Sequence, residues 1–156
     1  MNFNTVKDFD VGRYMGRWYE VAKIPFVWEV GCEYATADYS WDEEKQVIYV
    51  KNTCYDDENK NVKRVNKGVA RIPNPNDPSK LKVTFEENPM KIEGDYFLNW
   101  TNYTEYAIIG SPTKAYVWVL SRTPTIPKKD LPFLLNKIKY FDYNPDKIIS
   151  SEKFFH

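Results

Sequence analysis

Hydrophobic and polar residues alternate in short runs along most of this chain, and near its end the spacing changes. Leu81, Val83 and Phe85 fall to one side while Lys82 and Thr84 fall to the other, the period of two that marks a half-buried strand. Ala35, Ala37 and Tyr39 alternate in the same way with Thr36, Asp38 and Ser40. Val47, Tyr49, Lys51 and Thr53 share a face in the next run, as do Tyr96, Leu98 and Trp100, and later Tyr116, Trp118 and Leu120. Turn-forming clusters separate these runs. The pattern predicts eight strands, over about 16–24, 32–41, 46–54, 62–72, 81–85, 95–101, 104–110 and 115–122. After Pro124 the apolar residues Leu131, Leu134, Leu135, Ile138 and Phe141 follow spacings of three and four, which predicts one amphipathic helix over about 127–141. Pro132 either marks its true first turn or kinks it. Lys147-Ile148-Ile149 adds a short strand, and residues 1–13 form an irregular lead-in.

Consecutive antiparallel strands with short connections predict an all-β fold, an up-and-down barrel or a meander sandwich, with the helix outside it. At 156 residues the chain is expected to be a single domain, 1–156, with a barrel over about 14–123 and a tail over 142–156. Eight strands leave an interior wide enough for side chains plus one small ligand.

The first strand opens at Gly16-Arg17-Trp18-Tyr19-Glu20. Gly16 lets the backbone pass close to a neighbour. Trp18, two residues on, shares its face. Trp18 is either a ring plugging one end of a barrel or an ordinary core residue. The strand ends at Pro25, which cannot donate to a ladder. Phe26, Val27 and Trp28 follow in an apolar loop, which is either a lid over a cavity mouth or a segment packed on the outside. A hairpin centred near Glu43 sets Ser40 opposite Gln46 and Cys32 opposite Cys54. The two cysteines are then either cross-linked or free thiols, on the face away from Tyr39 and Tyr49.

Composition narrows the chemistry. Lys+Arg and Asp+Glu are equal at 22 each, which gives no electrostatic case for nucleic acid. The single histidine is the last residue, His156, so His-based nucleophilic and metal chemistry is not expected, nor is any metal or other cofactor. Asp56–Asn61 lacks the glycine of a calcium loop and reads as a solvated turn. No run approaches the roughly 20 apolar residues of a membrane span, and no signal segment follows Met1. The chain is expected to be cytosolic, or to have lost a signal.

Aromatic residues make up 17% of the chain. One face of the strands gathers Tyr39, Tyr49, Phe85, Tyr96, Trp100, Tyr116 and Trp118, bulky side chains often with a polar tip. Such a face suits a concave pocket that holds a ligand by shape. Ala37, Val47, Val83, Leu98 and Leu120 join it by parity. Lys51 also points inward by parity and either anchors a ligand head group or snorkels to the rim. Asn99 points outward.

Three stretches resemble the lipocalin family, in the group that includes apolipoprotein D, the bacterial outer-membrane lipocalin and the plant temperature-induced lipocalins. Gly16-Arg17-Trp18-Tyr19-Glu20 resembles the first signature, Thr104-Glu105-Tyr106 the second, and Arg122 in Ser121-Arg122-Thr123-Pro124 the third. The resemblance implies a closed eight-stranded barrel with Arg122 lying across Trp18 at its closed end, and reads Gly16, Trp18 and Arg122 as structural residues. It implies that Tyr14, Tyr39, Phe85, Tyr96, Trp118 and Leu120 face a ligand. It also implies a secreted, periplasmic or membrane-peripheral protein, a monomer or weak dimer. No cysteine precedes Cys32, so the lipid-modified cysteine of some members is not expected. Relatives tend to carry Asn where this chain has Lys51, and a cation there would favour a fatty acid or lysophospholipid. Non-enzymatic binding and transport of a small hydrophobic or amphipathic molecule is the leading expectation. The alternatives are a lipid-modifying enzyme and a module that contacts membranes through Phe26, Val27 and Trp28.

Overall fold

The computed structural model describes residues 5–24, 34–55, 61–87, 90 and 93–150, the last two by backbone alone. Among these, nine strands form one antiparallel sheet: β1 (Gly16–Ile24), β2 (Tyr34–Asp42), β3 (Val47–Tyr55), β4 (Val62–Arg71), β5 (Lys80–Phe85), β6 (Gly94–Thr101), β7 (Tyr106–Gly110), β8 (Val117–Ser121) and β9 (Ile149–Ser150). Strands β2 to β8 follow one another in order. β1 pairs with β8 on one side and with β2 on the other, so the sheet closes on itself and its eight main strands have no free edge. The expected barrel is present. β9 adds beside Ala22 and Lys23 of β1.

Two helices accompany the barrel. α1 (Val11–Tyr14) is one turn within the lead-in that was expected to be irregular, and Asp10 caps it by accepting from the Arg13 amide at 3.2 Å. α2 (Leu131–Tyr140) follows a 3-10 turn, Lys128–Asp130. Pro132 sits in the first turn of α2, where it costs no backbone hydrogen bond. The Asp130 carboxylate accepts the Tyr106 hydroxyl rather than capping α2. That bond fastens the helix start to β7.

The sheet has a core on each side. Outside, Leu134, Ile138 and Phe141 pack on Val21, Ala22, Ile24, Tyr106, Ile108, Val117 and Val119. Inside, Tyr14, Trp18, Ala37, Tyr39, Ile48, Val50, Leu81, Val83, Leu98, Ala107, Ile109 and Leu120 meet. This second set is the barrel interior.

The lead-in seals one end of the barrel. The Val6 amide donates to the Leu98 carbonyl at 3.0 Å, and the Ser79 hydroxyl donates to the Val6 carbonyl at 2.7 Å. Trp18 is fully buried, and its indole N–H donates to the Tyr14 carbonyl at 2.9 Å. The Arg122 guanidinium lies 3.8 Å above the Trp18 ring, as the resemblance implied. Its nitrogens donate to the carbonyls of Tyr103 (2.9 Å), Arg17 (3.0 Å) and Arg13 (2.9 Å). One cation thereby ties the α1–β1 junction to the β6–β7 connection. Gly16 makes that junction with φ of +99°, a conformation L side chains rarely adopt.

Two strands, β3 and β6, do not present the faces expected of them. The β2–β3 hairpin is centred between Glu44 and Lys45, because Asp42 pairs with Val47. Asp42 accepts from the Gln46 amide at 2.8 Å and, through its carboxylate, from the Lys45 amide at 3.0 Å, and Gln46 takes a φ of 56°. Ser40 therefore faces Tyr49, and Cys54 faces Ala35. The odd shift turns β3 over. Ile48 and Val50 point inward; Val47, Tyr49 and Lys51, all expected inside, lie on the outer wall. Cys54 falls on the face of Tyr39, not the opposite one. It is disulfide-bonded, and Cys32, the only other cysteine in the sequence, lies outside the described residues.

In β6 a bulge falls between Leu98 and Trp100. Leu98 points inward, whereas Trp100 turns out against Phe133 (centroids 5.5 Å apart) and under the Lys137 ammonium at 4.9 Å. Trp100 therefore leaves the inner aromatic face. Asn99, in the bulge, is buried and accepts the Tyr143 hydroxyl at 2.7 Å.

Substitutions at two positions test this frame. Arg122→Ala is expected to destabilise the fold by about 2–4 kcal/mol, from the ring contact and the charged hydrogen bonds together. Arg122→Lys restores less than half, because a compact ammonium lacks the planar fork that lies on the ring and reaches three separate carbonyls. A Cβ on Gly110 would lie 1.9 Å from the Tyr143 hydroxyl oxygen, so Gly110→Ala is expected to expel Tyr143 at a cost of about 2–4 kcal/mol. Urea unfolding reads both, as a lower midpoint at an unchanged slope.

Candidate ligand-binding site

The interior is layered. At the sealed end Trp18 and Leu98 are fully buried, and Tyr14, Leu81 and Leu120 nearly so. Tyr14, delivered by α1, stacks on Tyr39 of β2 with centroids 5.5 Å apart. Its hydroxyl lies 2.5 Å from that of Tyr96 on β6, and the Tyr39 hydroxyl lies 2.9 Å from the same oxygen. The three phenols satisfy one another, so this polar cluster is stable away from water. Burial pushes all three phenols well above their ordinary pKa, which keeps them neutral. The void among Phe9, Tyr14, Tyr39, Ile48, Val50, Ala70, Leu81 and Tyr96 measures only about 10 Å³, room for about one water. The expected hollow is therefore corrected for this half, which is solid.

Toward the other end the inward residues are less covered. Phe85, Tyr96 and Trp118 belong to the inner face yet are only partly buried. The antiparallel order places the β1–β2, β3–β4, β5–β6 and β7–β8 connections at this end. Phe26, Val27 and Trp28, expected as a lid, an outer packing segment or a membrane contact, lie outside the described residues, as does Asp56–Lys60.

Alternation missed the most polar feature of the interior. β1 pairs with β8 as Glu20 to Leu120 and then Ala22 to Val119, with a bulge between. The extra residue sends both Val21 and Ala22 into the outer core. Lys23 consequently falls opposite Trp118. Glu20 and Lys23 thus share the inner face with Leu120 and Trp118, and the carboxylate meets the ammonium at 2.9 Å. Both side chains are largely covered, at 17% and 14% exposure. Glu20 also acts on Tyr39, whose phenol is raised first by burial and then by this carboxylate. The adjacent apolar pair Val21-Ala22 between Glu20 and Lys23 was the available signal, because strict alternation would split it between two faces.

Tyr14, Ala37, Tyr39, Val83, Phe85, Tyr96, Leu98, Trp118 and Leu120 therefore come together inside. Val47, Tyr49 and Lys51 do not. Tyr49 is 40% exposed and donates to the Asp42 carboxylate at 2.7 Å. Lys51 sits opposite Lys67 on β4 and beside an outer groove of about 460 Å³ that Asp38, Ser40, Tyr49 and Val69 also line. No cluster of His, Cys, Asp and Glu among the described residues has the makings of a metal site.

A family model described as a lipocalin-like domain matches residues 9–153. Temperature-induced lipocalin-1 of Arabidopsis thaliana is 34% identical over 155 residues, covering 92% of this chain and 78% of that protein. The outer membrane lipoprotein Blc of Vibrio cholerae is 32% identical over 147 residues, covering 92% and 82%. Mouse apolipoprotein D is 33% identical over 135 residues, covering 82% and 68%. Among solved structures, insecticyanin from the tobacco hornworm Manduca sexta superposes with a TM-score of 0.74 at 23% identity, over 95% of this chain and 82% of that one. With its closed barrel, its sealed Trp18–Arg122 end and this match along nearly its whole length, the chain belongs to the lipocalin family.

Proposed function

We propose that this protein binds and carries a small apolar or amphipathic molecule in the upper interior of its barrel, without transforming it. The observation that carries this reading is the half-covered aromatic set Phe85, Tyr96 and Trp118 above a floor that is already closed. Such rings hold a ligand by shape and area. Burying about 300 Å² of ligand surface at about 25 cal/mol/Å² gives about 7 kcal/mol before the costs of association. Micromolar or weaker affinity follows.

A carrier needs no reactive group, and the site fits that. Cys54 is in a disulfide, and the buried phenols are held neutral. The fatty-acid and lysophospholipid version of this reading drew its head-group anchor from Lys51. That side chain is on the outer wall, so the charged groups a bound lipid would meet are Lys23 and Glu20.

Titration with a fluorescent long-chain lipid probe tests the location. Trp118→Ala is expected to weaken binding about tenfold, as for a central contact aromatic, while Lys51→Ala on the outer wall leaves it unchanged. Loss of binding in Lys51→Ala with none in Trp118→Ala would place the probe in the outer groove and refute the interior site.

A further inference from the structure

We infer that Glu20 makes this lumen select neutral head groups and reject carboxylates of the same chain length. The inference rests on the carrier reading and deepens it by naming the ligand class. Its basis is the β1 bulge, which turns Glu20 and Lys23 onto the inner face beside Leu120 and Trp118 and joins them at 2.9 Å.

Taken alone, an inward lysine would attract an anion. Here its charge is already answered. A ligand carboxylate reaching Lys23 arrives beside the Glu20 carboxylate, in surroundings where both side chains are mostly out of water. Like charges repel more strongly there than in bulk solvent. Displacing Glu20 from Lys23 instead would strand a covered charge, which is costlier than never having paired it. A neutral head group meets neither obstacle. An alcohol, ketone or ester oxygen brings no charge beside Glu20, so it can lie against the ion pair and leave it intact.

Among the described residues, the rest of the lumen does not reverse this. Asn52 and Asn66 face each other across β3 and β4 on the same inner face as Ala37, and both are uncharged. Arg64, opposite Cys54, shares that register but is exposed. The phenols beneath are neutral and packed.

Isothermal titration of the intact protein with dodecanol and with dodecanoate at neutral pH separates the possibilities. The wild type is expected to bind the alcohol at least about tenfold more tightly than the acid. Glu20→Gln removes the repulsion, so the alcohol-to-acid ratio falls about tenfold. Lys23→Met removes the attraction and widens the ratio. Equal affinities in the wild type, or a preference for the acid, would overturn the inference without any variant. An unchanged ratio in Glu20→Gln, with a wild-type melting curve, would also overturn it. Failure of either compound to bind any form would remove the carrier reading itself, an outcome distinct from binding without discrimination.

Discussion

One strand belongs to both sides of this sheet. The first half of β1, Gly16–Glu20, pairs with β2, and the second half, Tyr19–Ile24, pairs with β8. Closure of the ring depends on that double pairing, and the bulge lies where one partner gives way to the other. With closure, every residue has an inside or an outside, and no strand can slip without moving its neighbours. The bulge is then the point where the rule of alternation is suspended. It gives Val21 and Ala22 to the outer core under α2, and gives Lys23 to the lumen.

The same closure explains why the interior has two characters. Its sealed end is assembled from parts far apart in sequence: Val6, α1, Trp18, Ser79, Tyr103 and Arg122. There the rings of Tyr14, Tyr39 and Tyr96 fill the space and satisfy each other's hydroxyls. A tyrosine near the axis of such a barrel can thus be floor rather than wall. Tyr14 and Tyr39 are floor, and Tyr96 joins them through its hydroxyl. In the proposed carrier the chamber left to a ligand is shorter than eight strands alone suggest, bordered by Phe85, Tyr96 and Trp118 and by the ion pair on β1.

Much of the architecture was legible in the order of residues. Clean alternation, as in Leu81–Phe85, located the strands, and the switch to three-and-four spacing at Leu131 located the helix. Pro132 left two readings open, and the 3-10 turn before it decides between them. The errors share one cause. Faces depend on register, and register is set by single residues whose effect is not local. Gln46, at positive φ, recentres the β2–β3 turn and moves Tyr49 and Lys51 outside. Asn99 finds a partner in Tyr143, far along the chain, and the bulge around it turns Trp100 out. Cys54 changed faces for the same reason as Lys51. The inward position of Lys23 needed the β8 partner, Trp118, to be known.

The proposed binding chamber above a solid floor makes a spatial claim. Crystals of the protein grown with 12-bromododecan-1-ol would show it most directly, since bromine marks the chain end in an anomalous map. The account predicts an anomalous peak in the space bounded by Phe85, Tyr96 and Trp118, above the three phenols, with Tyr14, Tyr39 and Tyr96 still joined. A peak confined to the outer groove along Tyr49, Lys51 and Val69, or one below a separated Tyr14–Tyr96 pair, would contradict it.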